Sequence, residues 1–240
     1  TGSKYKVYYG KNYGFVNSVG EVRIGYKYEF AAPFKEGRAR VKDANGWYFI
    51  DETDAKFGGY YGEVYDFSEG LAAVVQNGKI GFINAKNEIV IPFQYCYFDK
   101  YNAYDFGYLF HNDCCVMTNE KGKFGLINKK GEWILNPIYD KILSLNENGY
   151  RIVVNEEKYG IIDSNNQVVY PTEYDYIDIV SNGFVLAKEG KMWQIDFSGK
   201  VINPFMYEYR ESILFVSGYT EDEYPIYTNS DYVKYEILGL

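Results

Sequence analysis

The sequence predicts an all-β chain of tandem antiparallel meander repeats, each about 34 residues long, closing as a small β-propeller of six or seven blades. Three observations predict it. A hexapeptide of the form Lys-aromatic-Gly-aliphatic-Ile-Asx recurs at near-constant spacing. Every copy is followed by the same turn chemistry. Nowhere do 10–12 residues with helical periodicity run free of Gly, Pro and turn signals. An open β-solenoid or an elongated repeat sheet is the alternative, but neither end shows the polar capping unit that such an array needs.

The first element of each repeat is the hexapeptide strand. Clear copies are Asn12–Asn17, Lys79–Asn84, Lys123–Asn128 and Lys158–Asp163, and imperfect ones are Gly46–Asp51 and Lys191–Asp196. The positions equivalent to Gly14 are 14, 48, 81, 125, 160 and 193, spaced 34, 33, 44, 35 and 33. A degenerate seventh copy lies near Tyr224–Thr228. The second element is a turn. Three residues after the Asx comes Gly or Asn, at Gly20, Asn87, Gly131, Asn166 and Gly199. The Asx side chain caps a type I turn, and Gly or Asn tolerates the left-handed conformation that ends it. A short apolar strand follows, such as Glu88–Ile91, and then Pro92, Pro137, Pro171 or Pro204 is expected to stop it. Tyr95, Tyr139, Tyr174 and Tyr207 come next. The clearest repeat therefore reads as four strands, 159–163, 167–170, 174–180 and 184–187. Their turns are too short for crossovers, so neighbours must be antiparallel. Helical repeats of similar period are excluded.

These coupled positions, with Asp66-Phe67-Ser68-Glu69-Gly70-Leu71-Ala72-Ala73-Val74-Val75 as a second half, resemble the bacterial WG-repeat (KWG-repeat) family over nearly the whole chain. One departure is visible. No Trp-Gly dipeptide occurs, and Tyr13, Ile80, Phe124, Tyr159 and Met192 stand at the aromatic position, which points to a packing role. The resemblance implies a repeat scaffold and brings no catalytic residue with it. The excess of Lys over Arg and the wealth of Ile, Asn and Tyr suit an AT-rich bacterial genome.

Composition narrows the function further. The chain has 240 residues, 25 Lys+Arg against 33 Asp+Glu, and a formal charge of −8. Chains of this length bury roughly 70–75% of their unfolded surface without disulfide or metal staples. An acidic balance argues against a nucleic-acid partner, because the phosphate backbone rewards clustered Lys and Arg. No apolar run approaches the ~18 residues of a membrane span. The chain opens Thr1-Gly2-Ser3 without Met, which reads like a tag remnant and leaves room for a removed upstream signal. The compartment is open, with a leaning towards the cell surface.

Catalysis finds little to stand on. His111 is the single histidine, so Ser-His-Asp, Cys-His and multi-His metal centres cannot be assembled within one chain. Cys96, Cys114 and Cys115 are an odd set without CxxC spacing, and a His111/Cys114/Cys115 metal cluster is the weaker reading against a plain loop. The repeated acids Asp51, Asp163, Asp196, Asp140 and Asp175 read as structural before they read as a glycosidase pair. The expectation is a non-enzymatic scaffold for protein–protein interaction, with no cofactor and no metal. A cell-wall glycan or choline-type binding module is the second reading, suggested by Gly46-Trp47-Tyr48, and a glycoside hydrolase the third. The binding site is expected where the repeat breaks. The spacing of 44 adds residues after Pro92 that are rich in aromatics, and Tyr101, Tyr104, Phe106 and Tyr108 are the candidate contact patch.

Overall fold

In the computed structural model, residues 4–97, 108–143, 145–208, 215–219 and 225–228 are described. Their regular elements are all strands, and these form seven antiparallel sheets in which each strand pairs with its sequence neighbour. The first sheet is β1 (Tyr5–Tyr9), β2 (Asn12–Val16) and β3 (Val22–Tyr28). The second is β4 (Phe30–Ala31), β5 (Arg38–Asp43), β6 (Gly46–Asp51) and β7 (Lys56–Tyr61). The third is β8 (Glu63–Val64), β9 (Leu71–Gln76), β10 (Lys79–Asn84) and β11 (Ile89–Cys96). The fourth is β12 (Cys114–Thr118), β13 (Phe124–Asn128) and β14 (Trp133–Tyr139). The fifth is β15 (Lys141–Ile142), β16 (Tyr150–Asn155), β17 (Lys158–Asp163) and β18 (Val168–Tyr174). The sixth is β19 (Tyr176–Val180), β20 (Gly183–Lys188), β21 (Lys191–Ile195) and β22 (Val201–Glu208). The degenerate last repeat contributes β23 (Phe215–Tyr219) and β24 (Pro225–Thr228). The chain divides into two compact units, 1–156 with 161–170, and 157–160 with 171–240.

The turns follow the sequence closely. Asn17, Asp51, Asn84, Asn128, Asp163 and Asp196 each accept, at the side-chain Oδ1, backbone N–H groups two and four residues ahead. Gly20, Asn87, Gly131, Asn166 and Gly199 all lie at φ between 63° and 86°.

Two strand expectations are corrected. Proline does not end the outer strand. Pro92, Pro137, Pro171 and Pro204 lie inside β11, β14, β18 and β22. From Ile80↔Tyr95 to Phe82↔Ile91 the register advances two residues on β10 and four on β11. The same step separates Phe124↔Tyr139 from Leu126↔Leu135, and Met192↔Tyr207 from Gln194↔Asn203. Proline sits in these bulges, where a strand can do without a ladder N–H. The run 174–180 is likewise not one strand. β18 ends at Tyr174, Asp175 turns the corner, and β19 begins the next sheet. Each sheet thus joins the back half of one sequence repeat to the front half of the next.

The repeat glycine has its reason in the bulge. A Cβ on Gly125 would stand 2.5 Å from the Leu135 carbonyl oxygen, and one on Gly81 would stand 2.9 Å from that of Ile91. The outer strand crosses so close that the position admits only hydrogen.

Within the first unit, the core lies between successive sheets. Phe15, Ile24 and Tyr28 of the first sheet pack on Ala39, Val41, Tyr48 and Ile50 of the second. Phe49 of the second packs on Val64, Phe67, Ala72, Val74 and Ile83 of the third. Phe82 and Ile91 of the third pack with Tyr108, Phe110, Cys115, Met117 and Ile127, and Cys114 and Leu126 with Ile142, Val153 and Ile162. In the second unit Ile177, Phe184, Leu186, Ala187 and Ile195 are buried.

Candidate interaction surface

The recurring polar residues join neighbouring sheets of the first unit through two clasps. In the first, the tyrosine that ends an outer strand donates its hydroxyl to the left-handed turn residue of the next sheet. Tyr28 donates to Asp54 Oδ1, Tyr61 to Asn87 Oδ1 at 3.2 Å, and Tyr95 to the Gly131 carbonyl at 2.5 Å. Burial raises the pKa of all three hydroxyls, and for Tyr28 the Asp54 carboxylate adds to it, so they remain protonated donors.

The second clasp uses the Glu-Gly turn. Glu36 Oε2 accepts the Gly70 N–H at 2.9 Å, and Glu69 accepts those of Asn112 and Asp113 at 2.7 and 3.0 Å. Lys129 Nζ lies 3.0 Å from Glu69 and 2.6 Å from Asp113. Although burial pushes the other way, these donors hold the Glu69 carboxyl below its ordinary range. An aromatic edge-to-face contact accompanies the clasps at the second and third junctions. Phe49–Phe67 and Phe82–Phe110 both have centroids 5.1 Å apart, and Phe15–Phe34 is a tilted pair at 4.8 Å. Sequence reading missed the roles of Glu36 and Glu69. The recurring Phe-x-Glu-Gly of Phe34–Gly37 and Phe67–Gly70 was the available signal.

That signal also explains the only histidine. His111 N–H donates to the Cys114 carbonyl at 2.9 Å, forming the same tight turn as Ser68 to Leu71. His111-Asn112-Asp113-Cys114 is therefore a degenerate copy of Ser68-Glu69-Gly70-Leu71. Cys114 and Cys115 are buried free thiols, and Arg151 Nη2 donates to Cys114 Sγ at 3.1 Å. Burial pushes both thiols up. Among the described residues, no three His, Cys, Asp or Glu side chains gather in a way that could hold a metal ion. Corner carboxylates are engaged too. Asp140 pairs with Lys123 at 2.7 Å and accepts the Glu156 N–H at 2.8 Å, and in the second unit Asp175 pairs with Lys158 and accepts the Glu189 N–H at 2.7 Å.

Of the expected contact patch, Tyr101, Tyr104 and Phe106 fall outside the described residues. Tyr108 is 9% exposed and stands edge-on to Tyr65 at 5.0 Å. It occupies the place of Tyr65 in the preceding repeat and belongs to the core rather than to an open surface. The rings behind the glycan reading are also committed to packing. Trp47 meets Phe30 at 5.1 Å, and Tyr48 is buried against Tyr28 and Tyr60, with burial and then Asp43 pushing its hydroxyl up to about 12.

Aromatic surface gathers instead on β1. Tyr5, Tyr8 and Tyr9 are 53%, 59% and 74% exposed. Tyr8 leans on Tyr13 at 4.8 Å and Tyr9 on Tyr26 at 5.4 Å, with Lys6 Nζ 5.4 Å over Tyr13. The result is a ribbon of braced phenol rings, amphipathic and laterally restrained. Sequence reading passed it over because the first repeat looked complete from its hexapeptide onward.

Comparison with known proteins agrees with this architecture. The model of a family described as WG containing repeat matches residues 13–47, 60–79, 80–102, 124–159 and 159–193. No curated protein matches the chain. Among solved structures, a eukaryotic initiation factor is similar with a TM-score of 0.52 at 12% identity, over 95% of this chain and 68% of that one. BamB from Moraxella catarrhalis aligns with a TM-score of 0.43 at 11% identity, over 95% of this chain and 82% of its own. Hsv2 from Kluyveromyces lactis gives 0.44 at 9% identity over 81% and 70%. At such identities the likeness to the initiation factor concerns the fold alone, a propeller-like succession of β-sheets.

Proposed function

The chain belongs to the WG containing repeat family, and from that premise we propose that it is a non-enzymatic scaffold that binds other proteins. The observation that carries this reading is the β1 ribbon, with Tyr5, Tyr8 and Tyr9 all more than half exposed on one strand. Tyrosine offers a large rigid contact area and a polar tip, and it is enriched at protein interfaces for that reason. The recurring acids favour the same reading, because Glu36, Glu69, Asp140 and Asp175 are occupied in joining strands and turns. Catalytic carboxylates would need to face a substrate.

The test is affinity capture with the full chain and with a Tyr8→Ala/Tyr9→Ala variant of unchanged thermal midpoint. A partner held by the parent and released by the variant is the expected result. Identical captured sets would place recognition elsewhere, and turnover of a glycoside or peptide substrate by the pure chain would end the non-enzymatic reading.

A further inference from the structure

In four sheets the hexapeptide strand opens with lysine, at Lys79, Lys123, Lys158 and Lys191. The residue that faces this lysine follows the tyrosine of the outer strand, and in three of the four sheets it is an acid. Lys123 Nζ reaches Asp140 Oδ1 at 2.7 Å. Within the second unit Lys158 pairs with Asp175, and Lys191 stands opposite Glu208 in register. The recurring arrangement is a cation at the start of one strand with an anion at the end of its neighbour, a favourable cross-strand pair.

The third sheet keeps the lysine and changes its partner. Lys79 pairs with Cys96 across β10 and β11, and Lys79 Nζ donates to Cys96 Sγ at 3.2 Å. The Glu120 carboxylate lies 3.9 Å from the same Nζ on an exposed side chain, a loose second neighbour. Cys96 is half-buried, whereas Cys114 and Cys115 are buried and burial pushes both of their thiols up. A thiol thus stands where this fold elsewhere puts a carboxylate, with a cation already at hydrogen-bond distance. The site consists of both side chains.

We propose that Cys96 is a site of reversible oxidation by peroxides, with Lys79 holding the resulting sulfenate as Lys123 holds Asp140. The attacking form is the thiolate, and the ammonium supplies its counter-charge. A sulfur lone pair forms the S–O bond to the near oxygen of hydrogen peroxide, and the O–O bond breaks. The far oxygen leaves as hydroxide and takes the proton of the new S–OH group, giving water and a Cys96 sulfenate. Sulfur is oxidised by two electrons and the peroxide is reduced by two. The product presents an anionic oxygen to Lys79 Nζ, the charge pattern of the other corners. Excess monothiol reverses the change: one thiol displaces the oxygen as water, and a second releases Cys96 as a disulfide forms between the two. The inference is independent of the scaffold reading.

The experiment treats the full chain with hydrogen peroxide in the presence of dimedone, which traps sulfenic acids, and follows the adduct by peptide mass spectrometry. Labelling of Cys96 ahead of Cys114 and Cys115 is expected, and monothiol added between peroxide and dimedone should abolish it. Lys79→Met should slow labelling about fivefold, Lys79→Arg should restore most of the rate, and added salt should slow the parent relative to free cysteine. Urea midpoints show whether each variant is folded. A Cys96 that stays unlabelled with its thiol free overturns the proposal, as does an equal rate in folded Lys79→Met. Should Lys79→Met unfold, the parent decides, because a rate no more salt-sensitive than that of free cysteine overturns it too. Loss of the Cys96 thiol without adduct, together with failure of trypsin to cut after Lys79, would overturn it in favour of a covalent Nζ–Sγ link.

Discussion

The second and fourth sheets carry the same bulge but place very different residues at its inner position. In the fourth, the inner strand supplies Gly125, and the outer strand crosses it with Asn136-Pro137-Ile138. In the second, the equivalent inner residue is Tyr48, buried at 8% exposure, and the outer strand carries Gly58-Gly59-Tyr60. The register step is the same, from Trp47↔Tyr61 to Phe49↔Phe57. What recurs is therefore the register step, whereas the crowding that demands glycine on the inner strand of the fourth sheet does not bar a full side chain at Tyr48 in the second. The outer-strand glycines do not offset the loss of glycine at position 48, since a Cβ on Gly59 would meet nothing within 4 Å, and Gly25 holds the place of Gly58 in the first sheet, which keeps Gly14.

The largest effect should come from filling the crowded position of the fourth sheet. Gly125→Val places a branched side chain against Leu135 and Pro137 and should cost about 3 kcal/mol or more in urea unfolding. Gly59→Val should cost less than about 1 kcal/mol, because nothing stands within 4 Å of its Cβ position. Equal losses at the two sites would break the comparison. Next comes Gly131→Val, at a φ of 79° with Ile91 Cγ2 2.8 Å from its Cβ position, with an expected loss of about 2 kcal/mol. An unchanged midpoint would show that the turn does not hold this shape.

Tyr95→Phe removes the hydroxyl that reaches Gly131 and should cost about 1 kcal/mol, while binding at β1 is untouched. The smallest effect belongs to the corners. The fourth sheet ends in Asp140, paired with Lys123, where the second ends in Gly62. The Lys123 hydrogen bond, then the Glu156 amide, lowers the Asp140 pKa. A carboxyl lowered by folding stabilises the protein above its ordinary range near pH 4 and loses that contribution as pH falls through the depressed value. With both side chains a third or more exposed, the pair is worth a few tenths of a kcal/mol. Asp140→Asn should shrink the gap between urea midpoints at pH 7 and pH 3, and an unaltered gap would remove the pair from the account.

Features encoded within a few residues were legible in the sequence. Asn84 followed by Asn87, or Asn128 followed by Gly131, specifies a turn through local hydrogen bonds alone, and the structure has those bonds. Features that depend on a neighbouring sheet were not. Pro92 looked like a terminator because its missing N–H is local knowledge, whereas the bulge that excuses it requires β10 alongside. Glu69 looked like an unassigned acid because its partners, Asn112 and Asp113, lie across the junction and past the break in the repeat. The candidate patch failed at Tyr108 for a related reason. Counting surplus residues forward from Pro92 hides the point where the next repeat resumes, and Tyr108-Leu109-Phe110 already follows Tyr65-Asp66-Phe67.

The phase of the sheets against the sequence repeat bears on how such a chain can change length over generations. The copied unit begins mid-sheet and ends mid-sheet, so an unequal recombination event that drops or gains one copy joins half of one sheet to half of another. Every inner strand still finds a second strand before it and an outer strand after it. The hydrophobic interior is renewed at the new junction by the same Phe, Tyr and Glu positions. A unit that coincided with a sheet would expose two whole faces wherever an imperfect cut was made. Here an imprecise breakpoint inside a corner such as Asp140-Lys141, where both residues are exposed, shifts only a surface turn, which lets the number of copies drift while each intermediate stays foldable.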